Sequence, residues 1–258
     1  MRIDGKELAK GIYGGLRRKP PPHSRIIAVL IGGNEASASF LARKAAVAQS
    51  LDIGFELVSF SGREPEEDIV RSLTSFAKDS SVGAIVLQLP VPAAYDRDVL
   101  IRAIGTVKDV DNLSGQADVM PPAVGTVHAV LASCGKKLSD YVAVRIIGNG
   151  FLIGAPIARF CAQAGIPHAV ANSTTEDLEG FARSGDLVIT GVGKSSLVNP
   201  DWLRNAAGAI DFGFPPDFNQ DSLARNSSRL TFYTPTPYGT GPILIAKLFA
   251  NFYSLSAD

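Results

Sequence analysis

Cysteine is nearly missing from this chain. Cys134 and Cys161 are its only two, too few for a disulfide framework and without the paired spacing of a zinc or other metal site. Both fall in segments that read as helices, so they are expected as core thiols in a reducing cytosol. Charge of one sign is missing too: lysine plus arginine number 25 and aspartate plus glutamate number 25, which removes the electrostatic case for nucleic acid or an anionic membrane. No apolar run approaches the roughly 20 residues of a membrane span. The opening Met1-Arg2-Ile3-Asp4-Gly5-Lys6-Glu7 holds no apolar signal core. The expectation is a cytoplasmic protein whose partners are small molecules or a second copy of itself. Hydrophobic residues at 46% against 19% charged exclude disorder and supply core for one large or two modest domains.

What the chain does have is one stretch around which the rest is organised, Val142 to Ala164. The β-branched run Val142-Ala143-Val144-Arg145-Ile146-Ile147 reads as a buried strand and Gly148-Asn149-Gly150 as a tight turn. A helix opening at Phe151 would aim its first-turn amides and positive dipole end at the loop, which suits a pyrophosphate. Gly154 would let that helix press on its strand. The Gly-x-Gly-x-x-x-Gly spacing is one residue longer than the commonest dinucleotide fingerprint, so a plain strand-to-helix turn remains an alternative on this motif alone.

The first half alternates strands and helices. Ile3 to Leu16 reads as a helix, Arg25 to Ile31 as a strand, and a helix capped by Ser37 runs to about Leu51. Phe55 to Phe60, Glu64 to Lys78 and Gly83 to Leu89 follow as strand, helix and strand, an order that predicts a parallel sheet with right-handed crossovers. Two residues break the local pattern. Lys44 shares the apolar stripe of its helix with Phe40 and Leu51, either snorkelling to water or held as a desolvated amine of lowered pKa. Gln88 ends an apolar strand at the carboxyl end, where open α/β sheets bind ligands, although it could simply cap a loop. Asp109 and Asp111 then alternate in a turn-rich stretch. They read either as turn formers or as carboxylates, one of which could take two parallel hydrogen bonds from an amidine-like ring edge.

In the second half, Met120 to Gly125 marks a boundary and Thr126 to Ser133 begins a helix. Strands are expected at Ile166 to Ala171, Asp186 to Thr190 and Ala207 to Phe212, with a short helix at Thr175 to Ala182. Repeated strand-helix units about a glycine turn predict a doubly wound nucleotide domain. Asn172 and Ser173 close its second strand where NAD would want an acid, which favours a 2′-phosphate cofactor. His168 sits in a strand interior and reads as structural. The Thr234 to Pro242 loop feeds a last helix, Ile243 to Tyr253.

Several of these segments, in order across almost the whole chain, resemble the methylenetetrahydrofolate dehydrogenase/cyclohydrolase family. They are Ile3-Asp4-Gly5-Lys6, Ala36-Ser37-x-x-Phe40-x-x-x-Lys44, Gln88-Leu89-Pro90, and Lys108-Asp109-Val110-Asp111. Ile147-Gly148-Asn149-Gly150-x-x-x-Gly154-x-Pro156, Asp186 to Lys194, Asp211-x-Gly213 and Thr234-Pro235-x-Pro237-x-Gly239-x-Gly241-Pro242 complete the set. The resemblance implies an α/β protein of two domains: an amino-terminal parallel-sheet folate domain over 1–119 and a Rossmann-type doubly wound dinucleotide domain over 120–237. The last helix, within 238–258, would return to the first domain. It also implies a homodimer in one-carbon metabolism feeding purine biosynthesis.

By the same resemblance, 5,10-methylenetetrahydrofolate is oxidised with NADP, NAD remaining open, and the methenyl product is hydrolysed to 10-formyltetrahydrofolate. Lys44 would manage protons in the hydrolysis, Gln88 would orient its amine, and Asp111 would hold the pterin edge. Phe40, Gly241 and Pro242 would line the substrate, and Gly148, Asn149, Gly150, Ser173, Gly193 and Phe214 the cofactor. The chain departs from the family pattern in places. Phe40 stands for a tyrosine, Asn149 for an arginine, Gly150 for a serine, Asn172 for a histidine and Tyr238 for a glycine. Asn112-Leu113-Ser114 take the place of a Gly-Phe-His. An enzyme keeping one activity, or a non-catalytic binder of folate or nucleotide, are the alternatives these departures leave.

Overall fold

The computed structural model describes residues 1–33 and 35–256. The chain divides into two compact units, one of Ile12–Pro121 with the chain from Ala246 onward, the other of Met1–Gly11 with Pro122–Ile245. Among the described residues each unit holds one sheet, of three and of five strands.

After helix α1 (Gly5–Leu16), the three-stranded unit runs β1 (Arg25–Ile31), α2 (Glu35–Ser50), β2 (Phe55–Phe60), α3 (Glu66–Lys78), β3 (Val82–Leu87) and α4 (Arg97–Ile104). The order is β2-β1-β3 and both pairings are parallel. Ile26 to Val29 of the central strand are fully buried, the reason it reads as an unbroken apolar run. The edge strand β2 is polar by comparison and leaves Leu57 half exposed. Since α2 leaves the carboxyl end of β1 beside the carboxyl end of β3, the topology brings Lys44 and Gln88 to one end of the sheet.

Local details differ from the sequence reading. Helix α2 starts at Glu35, so Ser37 is buried within its first turn instead of capping it. Pro65 precedes α3, and Glu64 lies outside the helix. Its carboxylate accepts from the backbone N–H of Ser61, Gly62 and Arg63 at 2.9, 3.0 and 3.1 Å, which lowers its pKa to about 2. Helix α4 was not anticipated. Asp96 caps it by accepting from the amides of Asp98 and Val99, and Leu100, Ile101 and Ile104 bury its apolar side.

The five-stranded unit contains α5 (Pro122–Ser133), β4 (Val144–Ile147), α6 (Gly154–Gln163), β5 (His168–Ala171), α7 (Leu178–Arg183), β6 (Leu187–Thr190), β7 (Gly208–Asp211), α8 (Gln220–Arg225) and β8 (Phe232–Tyr233). Its strand order is β5-β4-β6-β7-β8, all parallel. This is the doubly wound arrangement in which the order reverses beside the first strand, placing a switch point between β4 and β6. The last helix, α9 (Thr240–Leu255), passes from this unit into the other at Ile245.

Short elements account for the remaining differences. Residues 1–11, grouped by sequence with the first domain, belong to the five-stranded unit because Tyr233 N–H donates to Met1 O at 3.0 Å and Ile3 N–H to Tyr233 O at 2.9 Å. The chain likewise changes unit at Ile245 and not at 237, partway along one continuous helix. A two-residue strand such as β8 has no periodicity to read and exists through its pairing with β7 and Arg2. Helix α6 begins at Gly154, not Phe151, after a turn. His168 is structural, its Nδ1 lying 2.9 Å from Ile166 O. Cys161 is fully buried, whereas Cys134 is only partly so, its thiol donating to Val130 O at 3.4 Å.

Candidate active site

The buried stripe of α2 is Ser37, Leu41, Lys44 and Ala48, at helical spacings of four, three and four. Lys44 is 5% exposed, which excludes snorkelling. Its ammonium donates to Gln88 Oε1 at 3.4 Å, and Gln88 Nε2 donates to Leu89 O at 2.8 Å, turning the amide oxygen toward the amine. Phe40, one turn before Lys44, is half-buried and outside that stripe. Its ring centroid lies 5.2 Å from Nζ, within cation–π range.

Of the two alternating carboxylates, only one is free. Asp109 is 1% exposed, and its oxygens accept from the backbone N–H of Leu113 and Ser114, each at 2.8 Å, so it builds the loop. Asp111 has no hydrogen bond among the described residues and lies within electrostatic reach of Lys44. Burial lowers the Lys44 pKa from the ordinary 10.5, with the Asp111 charge opposing. Burial raises that of Asp111 from 3.8, with Lys44 opposing and Asp109 adding to the rise. Both directions say that desolvation outweighs the attraction between the two, so each is pushed toward its neutral form. An amine so placed can take a proton from water and return it, and a half-buried carboxyl beside it can hold a polar ring edge.

The five-stranded unit carries the second set of expected residues. Gly148 follows β4 at φ 99°, a left-handed conformation that suits glycine. A Cβ on Gly154 would lie 1.8 Å from Gly148 O, so only glycine lets the start of α6 approach the turn this closely. Asn149 and Gly150 are exposed between them, and Ser173 is exposed beyond β5. From the neighbouring strand, the loop after β6 closes against this turn at Gly191 and Val192, while Gly193 packs beside Phe214, itself 81% exposed. Bare backbone at a switch point and a helix start facing it fit the pyrophosphate of a dinucleotide. Gly241 and Pro242 lie in the first turn of α9, with the preceding Thr240 hydroxyl donating to Asp211 O at 2.7 Å. The sequence reading missed the buried Asp217, whose only signal was an aspartate after two prolines.

Comparison with known proteins agrees with both halves. Residues 3–111 match the family described as tetrahydrofolate dehydrogenase/cyclohydrolase, catalytic domain, and residues 121–257 its NAD(P)-binding domain. The bifunctional protein FolD of Leptospira interrogans is 26% identical over 263 residues, covering 95% of this chain and 92% of the relative. The fold is shared with the bifunctional FolD of Campylobacter jejuni, at TM-score 0.89 and 24% identity over 99% of this chain and 98% of that one. It is shared also with the Trypanosoma brucei FolD solved with NADP and an inhibitor, at TM-score 0.88, 22% identity, and coverage of 99% and 97%. With both domain patterns matched in order over nearly its full length, the chain belongs to the tetrahydrofolate dehydrogenase/cyclohydrolase family of enzymes.

Proposed function

We propose that this protein is the bifunctional enzyme its family name describes, oxidising 5,10-methylenetetrahydrofolate to the methenyl form with NADP and hydrolysing that product to 10-formyltetrahydrofolate. The observation that carries the reading is the buried Lys44 amine, which donates to Gln88 Oε1 at 3.4 Å and lies within electrostatic reach of Asp111. The turn at Gly148 and the start of α6 at Gly154 would hold NADP, which would supply the hydride acceptor. The protein's part in that step is positioning and exclusion of water, which needs no acid or base. In the hydrolysis, Lys44 as free amine takes a proton from the attacking water and returns one as the ring opens. Gln88 keeps the amine aimed, and Asp111 holds the amino-pyrimidinone edge of the pterin. Phe40 keeps an aromatic face beside the amine without a tyrosine's hydroxyl, leaving proton transfer to Lys44.

NADP over NAD is supported by Asn172 and Ser173, which stand after β5 where NAD would want an acid. The reading extends to a cytoplasmic homodimer supplying formyl groups to purine biosynthesis. No helix among the described residues is long and apolar enough to cross a membrane. Purified protein assayed with methylenetetrahydrofolate and each nicotinamide cofactor should form methenyl product and then consume it, faster with NADP. Absence of both steps sinks the proposal, and sedimentation as a monomer removes the dimer from it.

A further inference from the structure

Asp217 is fully buried, and its carboxylate accepts two backbone hydrogen bonds from the loop after β6, from Val192 and from Lys194, each at 2.8 Å. Gly193, between them at φ 76°, turns both amides to the same carboxylate. The carboxylate fits there because Gly213 has no side chain: a Cβ at that position would lie 2.6 Å from Asp217 Cγ. Further along the loop, Val198 N–H donates to Asp217 O at 2.9 Å. The adjoining loop after β7 is fixed by Asp211, which accepts from Thr190 Oγ1 at 3.1 Å, Gly213 N–H at 2.7 Å and Phe218 N–H at 3.0 Å.

This fixed loop bears on the glycine turn. A Cβ on Gly148 would lie 2.8 Å from Val192 Cγ2, so the Val192 side chain closes against bare backbone. The two amides bonded to Asp217 are also not offered to a phosphate. We propose that Asp217 is a positioning residue for dinucleotide binding: it holds Val192 against Gly148, so that the turn after β4 is shaped before the nucleotide arrives. Such preorganisation removes an ordering cost from binding. The proposal rests on the dehydrogenase reading above.

The test is direct binding of NADP and NAD to the ligand-free protein by calorimetry, beside the cyclohydrolase rate and amide hydrogen exchange. Asp217→Asn turns an amide NH2 against one of the two N–H donors and should raise Kd about tenfold, the scale of a lost charge-assisted hydrogen bond. Val192→Ala removes the contacting methyls from a partly exposed site and should raise Kd about threefold. Leu223→Ala, a buried change in α8, should lower Tm and leave Kd alone. The cyclohydrolase kcat/KM should be unchanged in all three, a split that general loss of structure would not give. The amides of Val192 and Lys194 should exchange slowly in wild type and quickly in Asp217→Asn. Unchanged Kd in Asp217→Asn overturns the proposal. If that variant does not fold, unchanged Kd in Val192→Ala overturns it. Wild-type protein binding neither nucleotide overturns the dehydrogenase reading and this proposal with it.

Discussion

Replacing Lys44 with methionine keeps the length and apolar stem of the side chain while deleting its ammonium, so the buried stripe of α2 stays filled. A positioned proton-transfer group contributes about 10²- to 10⁴-fold. That is about 3 to 5 kcal/mol at about 1.4 kcal/mol per decade. The hydrogen bond to Gln88, at 3.4 Å, is long and adds less than about 1 kcal/mol. Methenyl hydrolysis should therefore fall at least about 100-fold. Hydride transfer, which asks for placement of two rings and not for a proton, should fall less than about tenfold. Loss of the methenyl chromophore and formation of reduced nicotinamide report the two steps separately. The pH profile gives a second reading of the same residue. The free amine accumulates as pH rises, and burial brings that limb below the ordinary lysine value of 10.5, so wild-type hydrolysis should rise with pH earlier than an exposed lysine allows. Equal losses in both steps, or a rising limb at the ordinary lysine position, would refute the role.

Asp211 is held at about 6 by burial against an ordinary 3.8, so the native state keeps this proton longer than the unfolded chain. Its contribution is therefore fully present below pH 3.8 and lost as pH rises through about 6, about 3 kcal/mol in all. Urea unfolding of wild type and Asp211→Asn at pH 4 and 7 should show the difference between them shifting against wild type by about that amount; a constant difference contradicts it. Gly154→Ala puts a Cβ 1.8 Å from Gly148 O and should cost about 1 to 3 kcal/mol together with dinucleotide affinity. Gly11→Ala, in the helix with nothing within 4 Å, should gain about 0.5 to 1 kcal/mol, and equal thermal shifts for the two would count against the packing argument. Burial raises the Cys161 thiol to about 11, so a native thiol titration should leave it unlabelled until the protein unfolds.

The residues legible from sequence were those that broke a local pattern. Lys44 stood on an apolar stripe, Gln88 stood at the end of an apolar strand, and Gly148 interrupted a strand before a helix. Each violation was visible within one turn or one strand, although the partner that explains it lies far along the chain, as Gln88 does for Lys44 and Val192 for Gly148. Asp109 and Asp111 were visible as a pair, but the alternation could not say which one the loop amides of Leu113 and Ser114 would take. Asp217 was invisible because its amide partners lie 25 and 23 residues earlier. The misplaced ends of α3 and α6 reflect a side chain and a turn that bond the backbone differently from a helix. Helix α4 had readable signals in Asp96 and Gly105, whereas β8 had none, being defined only by its neighbours.

Helix α9 follows every other described element in sequence, yet Phe249 and Phe252 are fully buried, and Phe252 packs against Gly83 of β3. Asn251 Nδ2 donates to Val110 O and Met120 O at 2.9 and 2.8 Å. Burying the two rings is worth about 3 to 6 kcal/mol. That is a large share of the about 5 to 15 kcal/mol that holds a native protein together. A ribosome that has synthesised everything through Ile245 therefore carries a sheet, finished long before in sequence, with a greasy face still bare. The three-stranded unit is thus completed by a segment more than a hundred residues downstream of its sheet, and until that helix emerges the exposed surface is open to chaperones and to aggregation.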